Sequence, residues 1–223
     1  MEHSLKTSEE RNFSEDVSYD NMESIASEKS HKRQVQTERH IQKDSIEKSI
    51  QDILDVLEPE AQRLQKTPHR VAQSYEEFFK GYTQSPEQIV GSALYDSPTE
   101  EMVLLCDIPF TSHCEHHMIP IIGFIHIGYI PDGKIIGASK LARFVDCFAY
   151  RLQLQERLTV EIATVLEQIL VPKGVATYAI AEHFCISRRG VKKAGTKLIT
   201  RHFSGMFRTD SSLRAEFLDS IPR

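Results

Sequence analysis

Two β-rich segments separated by a short polar stretch constrain the fold of this 223-residue chain more than any other feature. Residues 101–110 and 118–131 are rich in β-branched and aromatic side chains, which is typical of strands. The turn signal Pro-Asp-Gly at 131–133 follows, and residues 134–137 return as a short strand. A sheet therefore occupies the middle of the chain.

Segments with helical spacing of apolar residues lie on both sides of this region. Upstream, residues 46–57 and 67–81 each predict a helix, the second with a Thr-Pro start. Downstream, two helices are predicted at 139–148 and 158–169. A closing hairpin follows, with strands at 176–187 and 197–207, and a terminal helix is predicted at 213–221. The order predicts an α+β fold, an antiparallel β-sheet backed by two helices (ββααββ), with N-terminal helices.

The composition of the first 40 residues differs from that of the rest. They contain seven serines, neither Gly nor Pro, and few apolar residues. Such a segment cannot bury enough apolar surface to fold, so residues 1–40 are predicted to be a disordered or weakly ordered tail. Residues 41–223 are predicted to form one folded domain.

Charge and hydropathy exclude several classes of function. The net charge of −5 argues against general nucleic-acid binding, and no apolar run is long enough for a membrane span. The N-terminal residues do not resemble a secretion signal, so a cytoplasmic location is expected. In that compartment the four cysteines favour metal or catalytic use over disulfides. Cys106 and Cys147 lie in apolar text and are interpreted as core residues.

Two separate stretches, SHCEHH at 112–117 and EHFCIS at 182–187, carry metal-binding side chains. The candidates are Cys114, His116, His117, His183 and Cys185. Zinc takes such ligands, four in a closed structural site and three plus water in a catalytic one. Five candidates exceed a closed set, which favours an open site with histidines left for acid–base work. A closed structural site remains the alternative.

Basic residues near these stretches suggest an anionic ligand. Ser139, Lys140 and Arg143 begin a predicted helix, whose free N–H groups suit a phosphate. The run RRGVKK at 188–193 follows the second cluster, although a solvated basic turn would look the same. Gln155 and Glu156 open the next helix, either as dipole partners or as readers of a purine edge. The residues alone leave these alternatives open.

The combination of motifs resembles GTP cyclohydrolase I of the zinc-dependent type. The motifs that carry the resemblance, in family order, are TPHRVA, CEHHMIP, HIGYIP, GASKLARFVD, RLQLQERLT, EHFCISRRGV and GMFR with EFL, within residues 45–221. The resemblance implies the tunnelling fold and a ring-shaped homodecamer with active sites between subunits. It also implies hydrolysis of GTP at C8, loss of formate and rearrangement to 7,8-dihydroneopterin triphosphate, the first step of pterin and tetrahydrofolate biosynthesis.

The resemblance also implies roles for particular residues. Cys114, His117 and Cys185 match the zinc ligands, with an activated water as the fourth. His183 matches the histidine that protonates the purine ring, and His116 the one that assists ribose opening. The matches to the substrate-binding residues are Glu156 as guanine anchor with Gln155 beside it, and Ser139, Lys140, Arg143, Arg189 and Arg70 as triphosphate contacts.

Three positions depart from the family pattern. His113 receives no role, and Leu198 and His202 stand where threonine is common. Two other functions remain open, a zinc-bound scaffold that only binds pterin or GTP, and a tunnelling-fold enzyme acting on another purine or pterin. The presence of the acid–base histidines and of the guanine anchor favours GTP cyclohydrolase I over both.

Overall fold

A computed structural model describes residues 41–222, and the predicted tail at 1–40 lies outside them. The helices are α1 Lys43–Leu57, α2 Thr67–Phe78, α3 Pro86–Val90, α4 Ala138–Ala149, α5 Gln155–Leu170, α6 Phe184–Ser187, α7 Met206–Thr209 and α8 Ser211–Asp219. The strands are β1 Leu94–Asp96, β2 Val103–Cys114, β3 Pro120–Ile130, β4 Lys134–Ile136, β5 Leu152–Gln153, β6 Gly174–His183 and β7 Leu198–Phe203. The predicted α+β class is confirmed.

A five-stranded sheet in the order β5-β2-β3-β6-β7 forms the centre of the domain. Its four long strands pair antiparallel, and the two-residue β5 pairs parallel with the end of β2. The register sets Ile125 opposite both Ile108 and Ala179, so apolar side chains align across three strands. The predicted strand at 134–137 exists, but it pairs with β1 in a separate two-stranded sheet.

The two long helices α4 and α5 pack against one face of this sheet. Their apolar faces, represented by Phe144 and Ile162, are fully buried together with Ile125 and Ile127 of β3. Burying one such side chain stabilises the fold by roughly 1.5–3 kcal/mol. The predicted arrangement of a sheet backed by two helices is therefore confirmed. The apolar faces that the helical and strand periodicities predict meet in one shared core.

The strand predicted at 176–187 ends earlier than expected, and this changes the position of Cys185. β6 stops at His183, which lies opposite Ile121 near the beginning of β3, and Phe184–Ser187 form a helical turn. Beyond this point only Pro120 of β3 remains, and a proline has no N–H to continue the pairing. The Arg188 N–H instead donates to the Phe184 carbonyl at 3.0 Å within the turn. A strand continuing to residue 187 would place His183 and Cys185 on the same face, since side chains two apart point the same way, and the helical turn removes this arrangement.

Helix α2 ends at Phe78, three residues before the predicted boundary, and a 3₁₀ turn covers Lys80–Thr83. Gly81 explains the change, because it packs against the end of α4. A Cβ at this position would lie 2.5 Å from the carbonyl oxygen of Cys147. Its N–H instead donates to the Tyr150 carbonyl at 3.1 Å.

Within residues 41–222, none of the helices is long and apolar enough to cross a bilayer.

Candidate active site

The two stretches of metal-binding residues meet because β3 joins their strands. β2 ends at Cys114 and β6 ends at His183, and both strands pair with the first residues of β3. His113 lies opposite Pro120, and His183 lies opposite Ile121. Residues about seventy positions apart in sequence are thereby brought to one end of the sheet.

A group able to hold a metal ion forms at this end. The ligand atoms of Cys114, His117 and Cys185 all lie within 4.8 Å of one another, and within residues 41–222 no other His, Cys, Asp or Glu group of this kind occurs. Burial and the neighbouring Cys114 raise the pKa of the Cys185 thiol, while Arg189 opposes the shift. Two thiols and one imidazole are a donor set that zinc accepts, so the residues fit such an ion.

The turn after β2 brings Cys114 and His117 together. The Cys114 carbonyl accepts from the N–H groups of His117 at 3.3 Å and Met118 at 2.7 Å, and Met118 adopts a φ of 57°. The Cys114 N–H in turn donates to the Ile119 carbonyl at 2.9 Å. This tight loop leaves His117 Nδ1 3.9 Å and His116 Nδ1 3.7 Å from Cys114 Sγ. His116 is therefore beside the group, but only Cys114, His117 and Cys185 form the set whose ligand atoms all lie within 4.8 Å of one another in the described residues.

Arg157, on the first turn of α5, braces the same loop. Its Nη2 donates to Glu115 Oε2 at 2.5 Å, and its Nε donates to Gln153 Oε1 at 2.9 Å. The backbone N–H of Glu115 donates to the Gln153 carbonyl at 3.1 Å. The loop that carries two candidate ligands is therefore tied to α5 by side chains and to β5 by the backbone.

A cavity of about 400 Å³ opens beside the metal-capable group. Its wall includes the predicted site residues Cys114, His116, His117, Glu156, His183, Cys185 and Arg189. Leu198, one of the departures from the family pattern, also contributes to the wall. The cavity combines soft metal donors, two further imidazoles, one carboxylate and one guanidinium, which is a suitable set for acid–base chemistry on a polar ligand.

His183 is the most buried imidazole on this wall, with 9 % of its surface exposed. Burial lowers its pKa, and the nearby Glu156 carboxylate opposes the shift. Its Nε2 lies 2.8 Å from Oε1 of Gln155. The Gln155 side chain is fully buried, and its predicted contact with the substrate stays a prediction. Glu156, by contrast, is exposed at the start of α5.

The other predicted anion contacts lie elsewhere in the chain. Ser139, Lys140 and Arg143 are on the first turns of α4, and Arg70 is on the first turn of α2. Arg70, Ser139 and Arg143 are exposed, and none of the four lines the cavity. The structure of one chain thus brings Arg189 to the cavity beside the metal-capable group, whereas the other four predicted anion contacts do not line that cavity.

His113 is a core residue rather than a member of the metal-capable group. It is 5 % exposed and packs against Phe78 and Phe79, with ring centroids 4.9 and 5.2 Å away. Burial lowers its pKa, and its Nδ1 has no hydrogen-bond partner in the described part of the chain. Its neighbours in sequence are the same as those of the candidate ligands. Because His113 and Cys114 are successive residues of β2, their side chains point to opposite faces of the strand.

Sequence reasoning missed two contacts that shape the site. These are the brace from Arg157 to Glu115 and the hydrogen bond from His183 to Gln155. Neither partner has a motif-like spacing, since the members are 42 and 28 residues apart. The only available signal was that Gln155 and Arg157 flank Glu156 in the sequence. Adjacency in sequence does not reveal which of these side chains points into the protein.

Comparison with known proteins agrees with these observations. The family model for GTP cyclohydrolase I matches residues 46–222. Proteins named GTP cyclohydrolase 1 from Brucella canis, Brucella suis and Brucella melitensis are each 45 % identical over 165 residues, which covers 74 % of this chain and 78 % of theirs. A crystal structure of the archaeosine synthase QueF-Like in the apo form aligns with a TM-score of 0.39 at 18 % identity, covering 49 % of this chain and 96 % of that one. On the family match and the Brucella relatives, the chain belongs to the GTP cyclohydrolase I family.

Proposed function

We propose that this protein hydrolyses GTP at C8 of the purine in a zinc-dependent reaction, releases formate and forms 7,8-dihydroneopterin triphosphate. Membership of a hydrolase family supports the substrate and the reaction class. The observation that carries the proposal is the metal-capable Cys/His/Cys group on the wall of a cavity that also holds His183 and Glu156. The zinc, the residue roles and the product are parts of this proposal.

Cys114, His117 and Cys185 would hold the zinc ion. The group contains three ligands within residues 41–222, and three is the number typical of a catalytic rather than a closed structural site. When bound there, Zn²⁺ supplies Lewis-acid activation of a water molecule for attack on C8. The loop carrying Cys114 and His117 is short and braced, so these ligands need little rearrangement before binding.

Glu156 would anchor the guanine base. Its carboxylate is exposed on the first turn of α5 and lines the same cavity as the metal-capable group. A carboxylate accepts two parallel N–H bonds, and the Watson–Crick edge of guanine offers two adjacent N–H donors. Anchoring that end of the purine leaves the imidazole ring free to lie toward the histidines.

His183 and His116 would move protons during ring opening. Breaking the two C–N bonds to C8 requires a proton on each departing nitrogen, and C8 leaves as formate. His183 is the buried imidazole of the wall, and burial favours its neutral form between proton transfers. His116 is exposed beside the metal-capable loop and would assist opening of the ribose. The amine left on the pyrimidine would then condense with the carbonyl of the rearranged ribose chain, with loss of water, to close the new ring.

The triphosphate would be held by Arg189 from the cavity wall and by Ser139, Lys140, Arg143 and Arg70. Since the last four do not line the cavity of their own chain, we propose that a second copy supplies them. A homo-oligomer with active sites between subunits, as in a decamer, would bring the starts of α2 and α4 of other copies to each cavity. Charge-assisted contacts of this kind suit a triphosphate in a chain whose net charge is −5.

The direct test is incubation of purified, zinc-loaded full chain with GTP, followed by assays for formate and for neopterin after oxidation. The expected result is one formate and one pterin product for each GTP consumed. A control sample treated with a chelator should lose both products and regain them with added zinc. Binding of GTP without turnover by the zinc-loaded protein would instead identify a scaffold that only binds its ligand.

A further inference from the structure

The side chain of Gln155 has a buried position that differs from that of its neighbour Glu156. Gln155 is 0 % exposed, whereas Glu156 is exposed and lines the cavity. A buried amide must have its polar atoms satisfied, because each unsatisfied one costs about 1–3 kcal/mol. The partners of this amide therefore reveal what the side chain does.

The nitrogen of the Gln155 amide has an unambiguous orientation. Nε2 lies 3.2 Å from the Ala179 carbonyl, 3.1 Å from the Leu198 carbonyl and 3.2 Å from Thr200 Oγ1. Two of these partners are backbone carbonyl oxygens, which only accept hydrogen bonds. A flipped amide would set Oε1 against both with no hydrogen between them, so the NH₂ group must face them.

This orientation determines the state of His183. The remaining amide atom, Oε1, lies 2.8 Å from His183 Nε2, and a carbonyl oxygen accepts but does not donate. The hydrogen of this bond must therefore be on Nε2 of the imidazole. In the neutral ring the lone pair is then on Nδ1.

A second layer of hydrogen bonds holds Gln155 in place. Thr159 Oγ1 donates to the Gln155 carbonyl at 2.7 Å and lies 2.6 Å from Thr200 Oγ1. Thr159 is 1 % exposed, so this layer is inside the protein. The amide is thus fixed from α5, β6 and β7 together, and it has little freedom to change partner.

We infer that Gln155 is a positioning residue for His183, holding the ring in its Nε2–H tautomer so that proton exchange with the substrate takes place at Nδ1. The inference rests on the proposed acid–base role of His183. It gives Gln155 a task other than a direct contact with guanine, because both polar atoms of its side chain are engaged inside the protein. An imidazole that keeps one tautomer is ready for transfer without first rotating or exchanging its proton.

The test compares Gln155→Met, which keeps length and volume without hydrogen bonds, with Thr200→Val. Thr200→Val removes a half-buried partner of Gln155 but leaves the two carbonyl acceptors and the His183 contact. Both variants are prepared as zinc-loaded full chains. The tautomer of His183 is read by ¹⁵N NMR of histidine-labelled protein, with the signal assigned by its loss in His183→Ala.

Wild type and Thr200→Val are expected to show the Nε2–H tautomer, and Gln155→Met a mixture of both. Loss of this positioning should lower kcat of Gln155→Met roughly 10- to 100-fold. Its KM for GTP and its zinc content should stay at wild-type values, and its solvent deuterium isotope effect should rise because proton transfer becomes slower. Thr200→Val should keep kcat within about threefold of wild type.

Three results would overturn the inference. They are an Nδ1–H tautomer in the wild type, an unchanged kcat in Gln155→Met, and equal losses of kcat in the two variants. The wild-type tautomer requires no substitution, so a Gln155→Met chain that does not fold leaves that measurement decisive. If the wild type did not turn over GTP, the proposed function would fail, and the tautomer spectra would still decide whether Gln155 orients the ring.

Discussion

The two halves of the proposed active site are built differently within one chain. The metal-capable group and His183 lie at one end of the sheet. The three ligand atoms are within 4.8 Å of one another, and His183 Nε2 is 2.8 Å from Oε1 of the buried Gln155. Four residues predicted to bind the triphosphate lie at the starts of α2 and α4 and do not line the cavity beside that group, namely Ser139, Lys140, Arg143 and Arg70. One half is preorganised by the fold of the single chain, and the other is not.

The difference reflects the physics of the two tasks. Metal ligands must converge to within a few ångströms, and acid–base groups must keep one orientation, so both depend on short hydrogen bonds and burial. Anion binding acts over longer distances and tolerates exposed side chains on helix N-termini. A part of the site that tolerates separation can be contributed by another copy of the chain.

The largest expected effect comes from Cys185→Ala. Removal of one of three ligands should abolish zinc retention and lower turnover of GTP by about 10⁴-fold or more. Zinc content is measured by atomic absorption after gel filtration. Cys106→Ala is the matched control, since that half-buried thiol lies in β2 outside the metal-capable group and its loss should leave zinc in place. Equal zinc content in the two variants would remove Cys185 from the ligand set.

His183→Ala should separate proton transfer from metal binding. Loss of this general acid–base group is expected to lower kcat by roughly 10²–10⁴-fold while zinc stays bound. His113→Met provides the control, because it changes a buried histidine next to Cys114 and keeps the packing against Phe78 and Phe79. If His183→Ala lost its zinc as fully as Cys185→Ala, the division between ligands and acid–base groups would be wrong.

Mixing two inactive variants tests whether the two halves come from different chains. Lys140→Ala and His183→Ala, dissociated together and reassembled, should regain about a quarter of wild-type activity if each site draws on two copies. A mixture of Glu156→Ala and His183→Ala should regain none, since both residues line the cavity of one chain. Failure of the first mixture to exceed its parents would place Lys140 and His183 in the same chain's site.

The smallest expected effect concerns the brace on the metal-capable loop. Arg157→Met removes the bonds to Glu115 and Gln153 and should weaken zinc binding about tenfold, as loss of an outer hydrogen bond typically does. Competition with a fluorescent chelator measures the dissociation constant. Arg214→Met removes a comparable hydrogen-bonded guanidinium on α8 and should leave zinc affinity unchanged. Equal affinities in the two variants would show that the brace does not support the loop.

Several structural features followed directly from local patterns. The helical faces around Phe144 and Ile162 and the strand character of 118–131 were predicted because apolar periodicity reports which side of an element is buried. Element ends were less accurate at Phe78 and His183. The strand β6 ends where its partner strand β3 begins, and helix α2 ends where the backbone approaches α4. Neither cause is visible in the local sequence pattern.

The sequence by itself determined the α+β class and the residue types of the candidate metal-binding side chains, because residue types and spacing are local properties. Only the tertiary structure decided which of those side chains meet. It brought Cys185 to Cys114 through a helical turn, buried His113 among phenylalanines, and directed Gln155 toward His183 rather than into the cavity. These outcomes depend on strand pairing and on the satisfaction of buried polar atoms, which involve residues far apart in the chain.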